Sequence, residues 1–448
     1  MGAGMTFLKC LFSPIILPFQ ACRIYLCGCL GVYFERLGRC LCCGICICCN
    51  CTYKDKSFPA NSRSIGRWQG KSAQQIDKEI KWKRIKDISA KGSHQGAKLF
   101  SGKVEPSDIC QGQLGNCWLM SACACLANQE GAIEQVFLTK ELTGYGKYKL
   151  QLYDGIKKKW QTVVVDDWIP CSATTGRPMF AKTNDDNAAW VLLLEKAMAK
   201  FKGSYAALDG GSTLWALEAL TGDYVFKFKE EPSKKHAGLV WLRYDLVHPK
   251  KKDEEAMLAP TKDELSSNEL FETMIFYKRR KSVLAASTGS GNDSQNTNGI
   301  VHGHAYAIVN VKQVDDFRMI QLMNPWGTFE WQGAWSDRSP LWRQHPKVAR
   351  AVDHTAEDDG TFWMEFKDFQ KYFKCLDFCM RTTGWEDLRI NIYEDHPCCG
   401  PCWGCITGCS KFWCCCLGCR ALLCAKKKQQ FERAPQGCCA GCIAKYGS

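Results

Sequence analysis

The stretch Asp108-Ile109-Cys110-Gln111-Gly112-Gln113-Leu114-Gly115-Asn116-Cys117-Trp118-Leu119-Met120-Ser121-Ala122-Cys123-Ala124-Cys125-Leu126-Ala127 decides the reading of this chain. Gly112 and Gly115 break regular structure. From Asn116 onward the residues are good helix formers, with apolar positions at Trp118, Ala122, Cys125 and Leu126. Cys117 is therefore predicted to stand at the start of a helix. There the helix dipole and free backbone N–H groups favour the thiolate, which is the attacking form of cysteine. Gln111, six residues earlier, can offer its side-chain amide to the oxyanion that forms on attack, together with the backbone N–H of Cys117.

A cysteine nucleophile needs a base, and histidine is the usual one. Among the eight histidines, His304 heads the run 304–311, whose β-branched content reads as a strand after the flexible Gly/Ser/Asn stretch 287–299. A second apolar run, Phe317 to Met323, reads as the next strand and ends in Asn324-Pro325-Trp326-Gly327. Asn324 at that end could hold the imidazole of His304 in one orientation, with Trp326 shielding the pair from water. A lone histidine ahead of a strand is more often structural, so these residues alone leave the role of His304 open.

Several blocks taken in order narrow the choice. Gln111 through Trp118, Leu194-Glu195-Lys196-Ala197, Gly203-Ser204-Tyr205, Gly303-His304-Ala305-Tyr306, Asn324 through Gly327 and Gly333-Ala334-Trp335-Ser336-Asp337 together resemble the calpain family of papain-fold cysteine proteases. The resemblance runs from about residue 68 to residue 390. It implies an α+β, papain-like core of two subdomains with a cleft between them, one mainly helical and carrying Cys117, the other β-rich and carrying His304 and Asn324. It also implies Cys117, His304 and Asn324 as catalytic residues and Gln111 as the oxyanion donor.

Calpain cores bind two calcium ions, so the resemblance implies calcium as well. The first site matches at Asp108 and Glu195, each of which also reads as an ordinary surface or capping carboxylate. The second matches at Glu330, Asp337 and Asp359, but Thr361 stands where the family has a Glu. Calcium prefers several hard oxygen ligands, and Asp358 and Glu357 are placed to compensate. The family's helix-loop-helix calcium array is not evident. Ser294 to Gly299 copies half of such a loop without an acid at its start, and Ala305 sits where the final Glu belongs.

Other segments read as scaffold. Ala188 to Phe201 has helical period, with Trp190, Leu193, Leu194, Ala197 and Phe201 on one side, and Gly210-Gly211-Ser212 opens another helix through Leu220. The charged insertion Pro249 to Asn268 reads as an exposed loop. Cys110, Cys123, Cys125, Cys171, Cys375 and Cys379 read as ordinary buried thiols.

The ends of the chain obey different chemistry. Of 31 cysteines in 448 residues, 11 lie in residues 1–51, 13 in residues 398–442 and 7 between. Residues 1–56 carry a net +4 and residues 396–448 a net +6, leaving +3 of the total +13 for the middle. Basic excess suits nucleic acid or an anionic membrane. No zinc-finger or RNA-binding signature accompanies it, so a membrane surface is the expected partner and nucleic acid is not. Gly2 and Thr6 fit the myristoylation pattern, and Cys10 opens a series of cysteines set among apolar residues where palmitoylation would add the second anchor that stable attachment needs.

Only 13 uncharged residues, Pro14 and Pro18 among them, separate Lys9 from Arg23, too few for a span of about 20. A signal peptide fits poorly too, for want of a basic start, an apolar core and a cleavage site in order. Zinc, an iron–sulfur run from Cys399 to Cys409, or disulfides are the competing readings of the cysteine-rich ends, with acylation favoured over zinc.

The expected organisation is residues 1–56 as an acylated membrane anchor, 57–209 as the mainly helical subdomain, 210–395 as the β-rich subdomain and 396–448 as a basic, cysteine-rich tail. The expected function is that of a calcium-regulated, intracellular cysteine endopeptidase acting on protein substrates, held by lipid on the cytoplasmic, inner face of a membrane. A membrane-anchored scaffold whose protease fold no longer cuts is the alternative.

Overall fold

The computed structural model describes residues 52–89, 97–184, 188–233, 237–248 and 257–381. Tyr53–Arg381 forms one compact unit. The expectations that fall on the tails, among them Gly2, Cys10 and both cysteine clusters, lie outside the described residues.

The expected nucleophile helix is present as α1, Cys117–Ala127. Every residue from Trp118 to Ala127 is buried, as a helix that is apolar on most of its circumference must be. Beside it lie α2, Trp190–Lys202, and α3, Thr213–Thr221. Gly203 and Gly222 end these two helices in the left-handed conformation that glycine adopts without steric cost. A hairpin, β1 (Lys147–Asp154) with β2 (Lys159–Asp166), covers them, so that Leu150, Leu152 and Val165 join Leu119, Leu193 and Leu217 in one core. Leu214, Leu217 and Leu220 of α3 belong to the same core.

The second part is an antiparallel sheet of eight strands: β3 (Tyr224–Pro232), β4 (Leu239–Val247), β5 (Met257–Leu265), β6 (Val283–Ser287), β7 (Ala305–Val314), β8 (Phe317–Met323), β9 (Thr361–Glu365) and β10 (Cys375–Met380). Their order across the sheet is β9-β8-β7-β6-β10-β3-β4-β5. Side chains alternate between its faces. Val283, Ala285, Ala307 and Cys379 face the core of α1, while Leu284, Tyr306, Ile308 and Phe378 face a second core with α4 (Ser267–Arg279) and α5 (Phe366–Tyr372). The small Ala285 and Ala307 leave room for α1 to lie against the sheet.

The strand expected over 317–323 has those bounds, and the run from 304 becomes a strand at Ala305. Of the segment 249–268, the described residues from 257 on depart from the expected loop. Met257–Leu265 is the edge strand β5 and Ser267 starts α4, after a capping box between Ser266 and Glu269. Lys262, Asp263 and Glu264, three charges in succession, suit an edge strand because its open side stays in water. The half-loop 294–299 forms a small hairpin, Asn296–Thr297 pairing with Ile300–Val301.

The site's first helix is held from below by a close approach. Trp118 donates from Nε1 to the carbonyl of Leu208 at 2.9 Å, and a Cβ on Gly211 would come within 2.4 Å of the indole. Gly211→Ala should therefore destabilise the protein by about 1–3 kcal/mol, as overpacking of a core does. A urea midpoint equal to that of the wild type would contradict this packing.

Candidate active site

Cys117 is the first residue of α1, half-exposed, and the residue before it does not cap the helix. Instead, Asn116 turns its side chain away and donates from Nδ2 to Glu195 Oε1 at 2.8 Å. No capping side chain therefore competes for the Cys117 and Trp118 amides, whereas those of Leu119 and Met120 donate to the Asn116 carbonyl. The loop before the helix is pinned at several points. Gly115 donates to Asp209 Oδ1 at 3.1 Å, Gln113 to the Met179 carbonyl at 3.1 Å and Gln111 to the Pro325 carbonyl at 2.8 Å.

The last of these contacts carries the loop across to the strand-end segment that follows β8. There His304 Nε2 lies 2.9 Å from Asn324 Oδ1, with both residues buried. Since Oδ1 can only accept, Nε2 carries the proton and Nδ1 keeps its lone pair. Asn324 is itself held, donating from Nδ2 to the Thr328 carbonyl at 2.7 Å and from its backbone N–H to Gly360 at 2.8 Å. The indole of Trp326 covers the imidazole with ring centres 4.6 Å apart, and Tyr306 meets it edge-on from the other side at 5.1 Å. Trp326 Nε1 also donates to Gln111 Oε1 at 3.1 Å, while Gln111 Nε2 donates to the Leu114 carbonyl at 2.7 Å. Gln111 is thereby fixed in one amide orientation with one Nε2 hydrogen left over.

Electrostatics differ from the simplest expectation for a helix start. Burial pushes the Cys117 thiol up, although the N–H groups of Ala305 and Trp118 at the sulfur pull it down. Burial likewise pushes His304 down to about 4, against the Asn324 bond and the negative charge of Asp293. Both effects favour the neutral thiol and neutral imidazole. The other cysteines follow the ordinary-thiol reading: all are unbridged, with Cys123, Cys125, Cys171 and Cys379 buried and Cys110 and Cys375 partly so.

The carboxylates matched to calcium fall into two settings. Glu195 is buried in the first core, where it accepts from Asn116 and from the Ala181 N–H at 3.0 Å, and burial pushes it up to about 7. It therefore touches the start of the nucleophile helix directly. Asp108 ends a 3-10 turn, its Oδ2 accepting from Glu105 N–H at 3.1 Å.

Glu330, Asp337 and Asp359 gather near Asp358. Burial and then Glu330 push Asp337 up to about 7, and the two carboxyl groups share a hydrogen bond. Glu330 Oε1 accepts from Gly360 N–H at 2.7 Å, and Asp359 Oδ1 accepts from Thr361 N–H at 2.8 Å. Among the described residues no group of three or more His, Cys, Asp or Glu side chains is already arranged as a metal shell. The mutual repulsion at 330, 337 and 359 nevertheless suits a hard cation, which would replace the shared proton.

Sequence reasoning missed Asn116, Asp209 and Ser121. Ser121 left one available signal, a hydroxyl four residues after Cys117 in an otherwise apolar helix.

The structure thus brings together a cysteine at a helix start, a histidine and an asparagine in hydrogen bond at a strand end, and a tryptophan over the imidazole. The sequence profile described as "Calpain family cysteine protease" matches residues 53–380, and the chain belongs to that family. It is 35% identical over 331 residues to calpain-type cysteine protease DEK1 of Arabidopsis thaliana, covering 73% of this chain and 14% of that protein. It is 32% identical over 371 residues to calpain-5 of Mus musculus, covering 76% of this chain and 52% of that protein. Against calpain-9 of Homo sapiens the identity is 32% over 358 residues, 76% of this chain and 45% of the relative. The chain thus spans about half the length of the two animal relatives and a small part of the plant one.

The Glu195 contacts make a test of the site's foundation. Glu195→Leu leaves the Ala181 N–H and Asn116 Nδ2 unpaired and should cost on the order of 2–4 kcal/mol. Glu195→Gln, whose Oε1 can accept both bonds, should be no less stable than the wild type. Equal urea midpoints for the Leu variant and the wild type would remove Glu195 from this structural role.

Proposed function

We propose that the chain is a cysteine endopeptidase in which Cys117 attacks, His304 exchanges the proton and Asn324 orients His304. The observation that carries this reading is the 2.9 Å bond from His304 Nε2 to Asn324 Oδ1, beside an Ala305 N–H that meets the Cys117 sulfur. With Nε2 committed to Asn324, Nδ1 is the free base. It takes the Sγ proton as sulfur bonds to the substrate's carbonyl carbon, so that two neutral groups become an ion pair only as attack proceeds. The carbonyl oxygen gains the negative charge, with the Cys117 N–H and the remaining Nε2 hydrogen of Gln111 as its donors. The imidazolium returns its proton to the departing amine. Water then adds to the thioester with Nδ1 accepting its proton, releasing the acid and restoring the thiol.

Cys117→Ala should abolish cleavage of a fluorogenic peptide or of casein, and His304→Ala should reduce it by about 10²–10⁴-fold. Asn324→Ala should leave a small residue of activity, because it removes the orientation of the base and not the base. Retained cleavage by Cys117→Ala would refute the assignment.

Calcium is the expected regulator. Glu330, Asp337 and Asp359 are the residues that would hold one ion and Asp108 with Glu195 those matched to another. A bound calcium ion would supply positive charge that relieves the repulsion of the carboxylates. The hydrogen bonds from Gly360 to Glu330 and from Asn324 to Gly360 join the first group to the residue that orients His304. Thr361, in place of a family Glu, makes that group one carboxylate poorer. Calcium should raise the melting temperature of the wild type, and Asp337→Asn should remove most of the rise. An unchanged rise in Asp337→Asn would exclude this group as the binding site.

Attachment to an anionic membrane face through acyl groups on the tails, at Gly2 and at cysteines beginning with Cys10, rests on their apolar and basic surroundings. No helix among the described residues is long and apolar enough to cross a membrane. Replacing Gly2 with Ala and Cys10 to Cys51 with Ser, in a chain ending near residue 394, should move the protein to the soluble fraction. Sedimentation with membranes after a high-salt wash would exclude acylation as the anchor.

A further inference from the structure

One face of α1 carries polar side chains at Cys117, Ser121, Cys125 and Asn128, the residue that closes the helix. The spacing of four, four and three keeps them on one stripe of the helix. Each of the last three bonds to a main-chain carbonyl of the sheet. Ser121 Oγ donates to Ala305 at 2.7 Å, Cys125 Sγ to Leu284 at 3.0 Å and Asn128 Nδ2 to Val309 at 2.8 Å. The seam between the helix that bears the nucleophile and the strands that bear the base is therefore a row of directed hydrogen bonds. The hydrophobic effect is non-directional, whereas a hydroxyl bonded to a single carbonyl fixes one register.

Ser121 holds a particular place in this row. The residue it grips, Ala305, directly follows His304, and the N–H of that same Ala305 faces the Cys117 sulfur. Ala305 is thus held through both of its peptide groups by two residues one helical turn apart. The peptide before it is secured from the sheet's own side, the Thr288 N–H donating to the His304 carbonyl at 3.1 Å and the His304 N–H to Thr288 Oγ1 at 3.0 Å. Ser121 is fully buried, so water cannot take over its bond if the hydroxyl is lost, and the Ala305 carbonyl would lose a partner inside the protein.

We propose that Ser121 is a positioning residue for the proteolytic reaction: its hydroxyl, by holding the carbonyl of Ala305, sets the register of the strand that starts at His304 against the helix that starts at Cys117. This rests on the assignment of Cys117 and His304 above. The role concerns alignment in the reacting pair and not the binding of substrate. Loss of the hydroxyl should therefore lower kcat and leave KM nearly unchanged. It should also loosen the Ala305 N–H from the sulfur. That N–H favours the thiolate, so alkylation of Cys117 should move to higher pH.

The experiment compares full-length wild type with Ser121→Ala, Ser121→Thr and Cys125→Ala in three measurements. These are steady-state cleavage of a fluorogenic peptide, the pH dependence of Cys117 alkylation by iodoacetamide read by peptide mass, and thermal unfolding. The expected result for Ser121→Ala is a fall in kcat of about tenfold to a hundredfold, the scale set by small misplacements of reacting groups. KM should stay within about twofold and the alkylation profile should shift upward. Ser121→Thr, which keeps the hydroxyl, should recover most of kcat. Cys125→Ala, two turns from the nucleophile, should keep kcat within about twofold even where its melting temperature falls.

Wild-type kcat and an unshifted alkylation profile in Ser121→Ala would overturn the proposal, as would an equal loss of kcat in Cys125→Ala, which would mark general docking of the helix. Should Ser121→Thr fail to fold, the kcat and alkylation results for Ser121→Ala decide alone. A wild type that neither cleaves nor is alkylated at Cys117 would instead defeat the underlying assignment. An active wild type silenced by Cys117→Ala, with an unaffected Ser121→Ala, would defeat only the role of Ser121.

Discussion

The contact between α1 and the sheet is the constraint on which the rest of the structure depends. The helix belongs by its apolar residues to the core built with α2, α3 and the β1–β2 hairpin, and by its polar stripe to the strands β6 and β7. Both demands can be met at once only because the sheet presents Ala285 and Ala307 toward the helix. Larger side chains there would hold the helix off and put the carbonyls of Leu284 and Ala305 out of reach. Cys117 comes from the helix and His304 from the position just before β7, so a shift along this seam would move the sulfur relative to the imidazole without unfolding either part.

A second set of contacts runs across the open side of the site. The Pro325 carbonyl holds the Gln111 backbone, and Trp326 holds the Gln111 side chain while covering His304. The segment after β8 therefore sets the orientation of the imidazole and of the amide together. Its own anchor is the bond from Asn324 N–H to Gly360, whose N–H goes to Glu330. A carboxylate in a repelling acidic group is in this way two hydrogen bonds from the residue that orients His304. Burial has a consistent effect throughout: it raises the thiol of Cys117 and the carboxyls of Glu195 and Asp337 and lowers the imidazole of His304. Removing water disfavours each charged form until a partner charge is present.

Much of the scaffold could be read along the chain. The run that became α2 carries helical period, that of β8 is a short apolar run, and Gly210-Gly211-Ser212 marks the start of α3. Met257–Leu265 was misread because its Pro and charged residues look like a loop, whereas an edge strand tolerates both on its open side. Asp108 and Glu195 were matched by order to a shared ion. A carboxylate's position along the chain does not indicate whether its oxygens are already taken, and those of Glu195 receive Asn116 and Ala181.

By itself the sequence determined the family, the elements that carry Cys117, His304 and Asn324, and the division between a globular middle and cysteine-rich ends. These rest on local spacing and composition, which a chain displays before it folds. Only the tertiary structure decided that Asn116 turns to Glu195, that Gln111 is clamped between Leu114 and Trp326, and that Ser121 reaches Ala305. These partners lie 79 positions apart for Asn116 and Glu195 and 184 apart for Ser121 and Ala305. A hydrogen bond acts over about 3 Å, so its existence depends on how the two cores pack and not on anything the residues display in order.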